Sequence, residues 1–174
     1  MSMFIVDFSY SYIRGLLLSI KIARSKILGV LILLVITQFV LIQQTWAATP
    51  AQTKQLIINQ SKLLGVDPAI MLSIAKAESG FRQEARGAGG TVGVFQLMPA
   101  TARRMGYNPY NIDENIKAGI TYYKNAYKML GSMELAVAAY NAGPDAVKRC
   151  GCVPSYSRSF VNRIMADYKQ FKNN

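Results

Sequence analysis

The 174-residue chain contains no histidine, and it has only two cysteines. Because histidine is absent, acid/base chemistry near neutral pH must come from another side chain. A carboxyl group at the mouth of a cleft is a candidate, since burial raises its pKa and keeps it protonated. Two cysteines without histidine also make a poor zinc site. We therefore expect neither a bound metal nor another cofactor.

Acidic residues are also few. The chain has 9 aspartates and glutamates but 20 lysines and arginines, which gives a net charge of +11. Four of the basic residues and one of the acidic residues precede Ala48, which leaves 16 and 8 for the rest of the chain. Such a basic surface favours an anionic partner such as phospholipid or cell-wall polymer, or it is simply a solvated face. Clusters of basic residues are no longer than pairs such as Arg103-Arg104, so we expect no nucleic acid partner.

Residues 27–42 form a long apolar run without charge, ILGVLILLVITQFVLI. Four basic residues precede this run between positions 14 and 26, and small residues follow it at Ala47 and Ala48. This order is typical of an export signal, and we expect cleavage near Ala47 or Ala48. The chain after the cleavage site is then exported.

A retained membrane anchor is the alternative for this segment, although the run is slightly shorter than the ~20 residues that span a bilayer comfortably. In both cases residues 1–48 stand apart from an exported domain of residues 49–174, with the basic flank left inside. An exported chain meets an oxidising space. The pair in Cys150-Gly151-Cys152 is therefore expected to form a disulfide, with two free thiols as the alternative.

The apolar spacing is helical from Gln52 onwards, and no stretch alternates like a β-strand over a convincing length. Asp67-Pro68 is a typical helix start, with Asp67 as the N-cap. Asp113 and Asp145 are also predicted caps. The predicted helices cover residues 53–64, 69–79, 96–105 (from about Pro99), 113–130, 133–140, 145–149 and 155–168. Helices in this number bury one core, so we expect a single mainly α domain.

Glu78 ends the apolar pattern of the second predicted helix, in the run Ala75-Lys76-Ala77-Glu78-Ser79-Gly80-Phe81. A packed helix, rather than a mobile loop, would hold its carboxyl group, which suits a catalytic acid. Cleavage of a glycosidic bond needs such an acid. An ordinary surface glutamate at a helix end is the alternative.

Three ordered blocks carry a family resemblance: ESGF at residues 78–81, GVFQLMP at residues 93–99 and AAYNAGP at residues 138–144. Together they resemble the family 1 lytic transglycosylases, whose soluble-lytic-transglycosylase (SLT) catalytic domain is related to goose-type lysozyme. The resemblance covers roughly residues 52–168. Phe95 departs from it, because the family usually has methionine at that place.

The resemblance implies a lysozyme-like helical fold (goose-type, SLT) and an enzyme that acts on peptidoglycan in the bacterial periplasm. Such enzymes cleave the β-1,4 bond between N-acetylmuramic acid and N-acetylglucosamine, and the C6 hydroxyl of the sugar attacks C1 to give a 1,6-anhydro end. Glu78 would protonate the leaving oxygen and then take the proton from that hydroxyl. One carboxylate suffices because the nucleophile is tethered. Glu84 is the only serious candidate for a second acid.

The resemblance and the character of the side chains together predict seven substrate-binding residues: Ser79, Phe95, Gln96, Met98, Tyr140, Asn141 and Tyr156. The amide of Gln96 suits an N-acetyl or hydroxyl group, and Phe95 and Met98 would line the cleft against sugar faces. The resemblance implies that Tyr156 reaches toward Glu78. The other six also have a structural alternative, as a core side chain or as a partner of the backbone. Three further tyrosines at helical spacing are expected in the core: Tyr122, Tyr123 and Tyr127.

Two other functions stay open, a muramidase-type hydrolase on the same fold and a non-catalytic wall-binding or assembly module. Small enzymes of this family without wall-binding repeats resemble those that open the wall locally for secretion, conjugation or pilus systems. We therefore expect peptidoglycan strands, and components of such a machine, as partners. Contact with the membrane is expected only through residues 1–48, if they are not cleaved.

Overall fold

The computed structural model describes residues 29–30, 32–34, 36–37 and 48–173. The chain divides into two compact units, Met1–Ala47 and Ala48–Asn174. The described residues of the first unit are helical, whereas the predicted basic region, most of the apolar run and Ala47 lie outside the described residues. Among the residues that are described, no helix combines the length and the hydropathy that crossing a membrane requires.

The second unit is built from helices, as the apolar spacing predicts. Between residues 48 and 173 these are α1 (Pro50–Leu63), α2 (Pro68–Ser79), α3 (Pro99–Arg104), α4 (Ile112–Leu130), α5 (Met133–Ala142), α6 (Pro144–Cys150), a 3₁₀ turn (Ser155–Ser157) and α7 (Arg158–Asn173). Within this stretch the β-structure is limited to isolated bridges from Val92 to Arg86 and Leu97. The prediction of a mainly α domain is confirmed.

Local sequence sets the starts of the first two helices. Thr49 accepts the N–H of Gln52, while the side chain of Gln52 accepts the N–H of Thr49, so that α1 begins with a capping box. At α2, Asp67 Oδ1 accepts the N–H of Ala69 at 3.0 Å, and Pro68 occupies the first helical position. The predicted start at Asp67-Pro68 is therefore confirmed.

Two other predicted caps are wrong. Asn111, not Asp113, caps α4, because Asn111 Oδ1 accepts the N–H of Glu114 at 3.1 Å. Asp145 is not a cap either, since α6 begins one residue earlier at Pro144. Both aspartates lie in the first turn of their helices, where a negative charge interacts favourably with the helix dipole.

Helix α2 forms the centre of the core. Residues 69–75 are all buried, because α1 and α7 pack against this helix. Two ion pairs, each at 2.6 Å, join α2 and its N-cap to α7: Lys76 with Asp167, and Lys172 with Asp67. The C-terminal turn of α2 is therefore held by packing on several sides, and this turn carries Glu78.

The three tyrosines that were expected in the core have different surroundings. Tyr123 is buried, as predicted, whereas Tyr127 is 47% exposed and stacks on Tyr123 with the ring centroids 6.3 Å apart. The core prediction for Tyr127 is therefore wrong. Tyr122 lies on a different face of α4, which borders the site described below.

The two cysteines form the predicted disulfide, Cys150 to Cys152, where α6 ends. Gly151 lies between them with a φ of 60°, in the left-handed region that glycine tolerates, and its N–H donates to Val147 O at 2.9 Å. Both cysteines are exposed. The bridge thus closes a small surface turn at the end of α6.

Candidate active site

Glu78 lies in the last turn of α2, and it lines a cleft of about 360 Å³. Burial raises the pKa of its carboxyl group from 4.5 to about 7, although the positive charge of Arg163 acts in the opposite direction. A carboxyl group with this pKa exists in both protonation states at neutral pH. It can therefore donate a proton and later accept one, which is what a general acid and base must do.

The walls of the cleft come from α2, α3, α4, α5 and the loop before α3. The lining residues are Glu78, Thr91, Gln96, Leu97, Met98, Thr101, Tyr122, Tyr140, Asn141, Ala142 and Gly143. Among these described residues, Glu78 is the only carboxylate. Glu84, the candidate for a second acid, is exposed on the loop and does not line the cleft.

Ser79 connects α2 to the glycine-rich loop rather than to the cleft. Its hydroxyl is buried, donates to Val94 O at 2.8 Å and accepts the N–H of Arg82 at 3.1 Å. The chain reverses direction just beyond it, where Gly80 and Phe81 both have positive φ, of 61° and 70°. Ser79 therefore fixes the loop next to Glu78, and its side chain is not among the lining groups.

A buried amide side chain, Asn115 on α4, holds the same loop through hydrogen bonds to its backbone. Its Nδ2 donates to Val92 O and Pro109 O, and its Oδ1 accepts the N–H of Phe95, each at 3.0 Å. Gly93 lies directly against this amide with a φ of 81°, and a Cβ there would collide with the Asn115 side chain. The sequence-based prediction missed Asn115. The available signal was an amide on the otherwise largely apolar face of an amphipathic helix.

Gln96 lines the cleft, and the loop already uses most of its hydrogen-bonding capacity. Its Nε2 donates to Gly93 O at 2.8 Å and to Ala85 O at 3.2 Å, while its Oε1 accepts the hydroxyl of Thr91 at 2.8 Å. Its backbone has a φ of 45°, which is uncommon for a residue with a side chain. Gln96 therefore shapes the wall of the cleft, and its predicted contact with a sugar stays a prediction.

Tyr140 and Tyr122 form an aromatic corner of the cleft. Their rings meet edge to face, with the centroids 5.2 Å apart and an interplanar angle of 88°. The hydroxyl of Tyr140 donates to Phe95 O at 2.9 Å, and burial, together with the charge of Glu78, raises the pKa of Tyr140 well above its ordinary value. Tyr140 thus stays neutral beside Glu78. Tyr122 was predicted for the core; it is half-buried, packs against the core and also lines the cleft, which the prediction missed.

Phe95 is fully buried and lies behind the wall of the cleft. Its ring packs against Gly119 of α4 so closely that a Cβ at this glycine would overlap the ring. Phe95 thus fills the space between α4 and the loop. Its N–H and C=O are held by Asn115 and Tyr140 respectively.

The remaining predicted residues differ in their exposure. Met98 is 46% exposed and lines the cleft. Asn141 also lines it, and its Oδ1 accepts the hydroxyl of Ser157 at 2.8 Å, which ties the end of α5 to the 3₁₀ turn. Tyr156 in that turn is 69% exposed and lies outside the lining. The structure therefore gathers five of the eight predicted residues around the cleft, namely Glu78, Gln96, Met98, Tyr140 and Asn141.

A family model described as the Transglycosylase SLT domain matches residues 55–152 of the chain. A curated relative, a transglycosylase of Enterobacteria phage PRD1, is 27% identical over 100 residues. That match covers 57% of this chain and 38% of the phage protein.

Two solved structures resemble the chain in fold, each with a TM-score of 0.61. One is an inactive mutant of the lytic transglycosylase Slt from Pseudomonas aeruginosa, with 25% sequence identity. The other is the 70 kDa soluble lytic transglycosylase of Escherichia coli, with 23% identity. Each match covers 68% of this chain and 24% of the solved chain, so this chain corresponds to a minor part of both proteins.

Proposed function

Because the chain belongs to the Transglycosylase SLT domain family, we propose that it is a peptidoglycan lytic transglycosylase. The lysozyme-like helical fold predicted from the sequence is confirmed by the likeness to solved lytic transglycosylases. The proposed reaction cleaves the β-1,4 bond between N-acetylmuramic acid and N-acetylglucosamine and leaves a 1,6-anhydromuramic end. The observation that carries it is the half-buried carboxylate of Glu78, the one carboxylate among the described residues that line the cleft.

Glu78 supports both proton transfers of this reaction. In its protonated form, Glu78 gives its proton to the oxygen of the breaking glycosidic bond. The resulting carboxylate then accepts the proton of the C6 hydroxyl as that oxygen forms its bond to C1. The protons balance, because Glu78 is protonated at the end of the cycle as it was at the start, and no water is consumed.

The lack of a second lining carboxylate favours this reaction over hydrolysis. Most hydrolysing glycosidases use two carboxyl groups that flank the bond, one as acid and one as base or nucleophile. Among the described lining residues only Glu78 has such a group. A nucleophile inside the substrate removes the need for a second group, and its tethering supplies the proximity advantage of an intramolecular reaction.

Asn141 is the best supported of the proposed substrate-binding residues. Its Oδ1 is occupied by Ser157, which orients the amide, and within residues 48–173 no hydrogen bond occupies its Nδ2. That nitrogen can donate to an N-acetyl carbonyl or to a sugar hydroxyl. Met98 offers an exposed apolar surface in the same lining.

The other predicted residues act less directly in this proposal. Gln96 and Tyr140 border the substrate while they hold the loop, and exposed Tyr156 reaches a substrate that extends beyond the cleft. Ser79 and Phe95 are buried, so we propose that they act on the substrate only through the loop that they position.

We further propose that residues 1–48 direct the domain to the periplasm, as a cleaved signal or as an anchor. The basic residues before the apolar run and the small residues after it support this proposal. The proposed role is local opening of the wall for a secretion, conjugation or pilus apparatus. Deletion of the gene should then impair the assembly of one such machine, and normal assembly of all of them would contradict the role.

Mass analysis of the digestion products tests the reaction. Purified sacculi are incubated with the protein and, in parallel, with Glu78→Gln. We expect muropeptides that are one water lighter than reducing muropeptides, and none with the variant. Reducing ends would indicate a hydrolase. Intact sacculi after prolonged incubation would indicate a wall-binding module instead.

A further inference from the structure

The disulfide between Cys150 and Cys152 is open to solvent, and the proposed cleavage reaction does not involve it. Both cysteines are exposed at the end of α6, with Gly151 alone between them. Exposed disulfides are more oxidising than structural ones as a class, and they include the labile and catalytic bridges. The position of this bridge lets a thiol of another molecule reach its sulfur atoms, even when that molecule is a large one.

Other contacts already hold the turn that carries the bridge. The N–H of Gly151 donates to Val147 O at 2.9 Å and ends α6 with a left-handed glycine. Val147 is fully buried, so it attaches this helix to the core. A cross-link between two residues so close in sequence also removes little chain entropy from the unfolded state. The bridge therefore contributes little to the stability of the domain.

Folding and oxidation of the bridge form a thermodynamic cycle. The free energy that the bridge adds to folding must equal the free energy that folding adds to the bridge. Because the first quantity is small for so short a loop, the second is small as well. The native protein should therefore give up its disulfide almost as readily as the unfolded chain does.

The surroundings of Cys150 favour a thiolate once the bridge opens. The N–H of Cys152 donates to Cys150 Sγ at 3.1 Å. Lys148 and Arg149 in the last turn of α6 are exposed cations, and neither is in an ion pair in the described part of the domain. A direct donor and nearby cations stabilise a thiolate, whereas Asp145 and the C-terminal dipole of α6 act in the opposite direction from a greater distance or with a partial charge. Of the two sulfur atoms, that of Cys150 is therefore the better leaving group.

We propose that the bridge between Cys150 and Cys152 is a thiol–disulfide exchange site that oxidises a dithiol of another polypeptide. A thiolate of that polypeptide attacks Cys152 Sγ, the S–S bond breaks, and Cys150 leaves as a thiolate. The second thiolate of the polypeptide then attacks the polypeptide sulfur of the mixed disulfide, and Cys152 leaves. The polypeptide loses two electrons and the bridge gains them, while the two thiol protons of the polypeptide pass to the two cysteines or to the solvent. This activity does not depend on the cleavage of peptidoglycan.

The first measurement is the equilibrium of the bridge with glutathione. The protein is incubated in mixtures of reduced and oxidised glutathione, its thiols are trapped by alkylation, and they are counted by mass spectrometry. The count is unambiguous because the chain has only two cysteines. A synthetic peptide with the sequence of residues 145–157 is treated in the same way.

The bridge of the native protein should be at most about thirtyfold harder to reduce than that of the peptide, given the small stabilisation expected of so short a loop. The reduced protein should keep the circular dichroism of a helical domain. Greater resistance to reduction than this, or unfolding on reduction, would overturn the inference.

The second measurement is transfer of the disulfide to a polypeptide. Oxidised protein is mixed, without oxygen, with an equal amount of a synthetic peptide that contains two reduced cysteines. We expect the peptide to gain a disulfide as the protein gains two thiols. Cys150→Ser/Cys152→Ser is the control for background oxidation. Absence of transfer from the wild type, or equal oxidation of the peptide beside the double variant, would overturn the inference.

Two further readings of the same reaction make the test specific. Acid quenching early in the reaction should trap the peptide on Cys152, and a peptide found only on Cys150 would overturn the assigned order of attack. Glu78→Gln should transfer its disulfide as fast as the wild type, because the exchange does not use the cleft. Failure of the protein to cleave sacculi would therefore refute the proposed function and leave this inference standing, whereas loss of transfer would refute only the inference.

Discussion

Replacement of Glu78 by glutamine should remove activity and, at the same time, stabilise the folded protein at alkaline pH. Burial raises the pKa of Glu78 from its ordinary value of 4.5 to about 7. In the pH range between these values, the native state retains a proton that the unfolded chain has already lost. The free energy of unfolding therefore falls as the pH rises through this range, and it stays lower above it.

The size of the effect follows from the two pKa values. The gap between 4.5 and about 7, at 1.36 kcal/mol per pH unit, corresponds to about 3 kcal/mol of stability that is lost when Glu78 ionises. Glutamine has nearly the same shape and carries no charge. Glu78→Gln should therefore recover most of this free energy at about pH 8.5 and almost none at about pH 4.

Urea unfolding of the wild type and Glu78→Gln at both pH values measures the difference. Glu84→Gln is the control, because Glu84 is an exposed carboxylate of the neighbouring loop and should show no comparable gain. The kcat/KM of the wild type should also decline above pH 7, as Glu78 loses the proton that it must donate. The reasoning would be refuted if Glu78→Gln changed stability equally at both pH values, or if it destabilised the protein in alkali.

Three further predictions concern the framework of the site. Asn115→Ala leaves the buried N–H of Phe95 without its acceptor and should cost about 1–3 kcal/mol in urea unfolding, together with a loss of activity; unchanged stability would contradict the role of Asn115. Gly119→Ala places a Cβ in the ring of Phe95 and should lower stability by about 1–3 kcal/mol in thermal unfolding, despite the better helix propensity of alanine. A raised melting temperature would show that the ring has room to move. The double variant Cys150→Ser/Cys152→Ser should cost no more than about 2 kcal/mol, because the bridge closes a loop with a sequence separation of only 2; unfolding of the domain by reductant alone would contradict this.

The helices and the place of Glu78 at the end of α2 were within reach of the sequence because each has a local signal. Proline and glycine mark the ends of most helices, and Asp67-Pro68 gives the start of α2 correctly. Caps were harder to assign when two polar residues lay close together. Asn111 and Asp113 are both suitable cap residues, and only the backbone conformation at Asn111 decides between them.

The lining of the cleft was less predictable, because it depends on how distant segments pack together. Helical periodicity places Tyr122 on a face of α4, but it does not indicate that Tyr140 of α5 lies beside that face. Phe95 belongs to the same motif as Gln96 and Met98, but the ring of Phe95 lies in the core. It fills the space that Gly119 of α4 leaves because glycine has no side chain. Motif membership therefore indicated the right loop and did not indicate which of its side chains face the cleft.

Digestion of sacculi in water enriched in oxygen-18 tests the central claim most directly. If the C6 hydroxyl is the nucleophile, no atom from water enters the new sugar end, and the 1,6-anhydro products should carry no label. One labelled oxygen at C1 of the released muramic acid would show that water attacks, and would contradict the account.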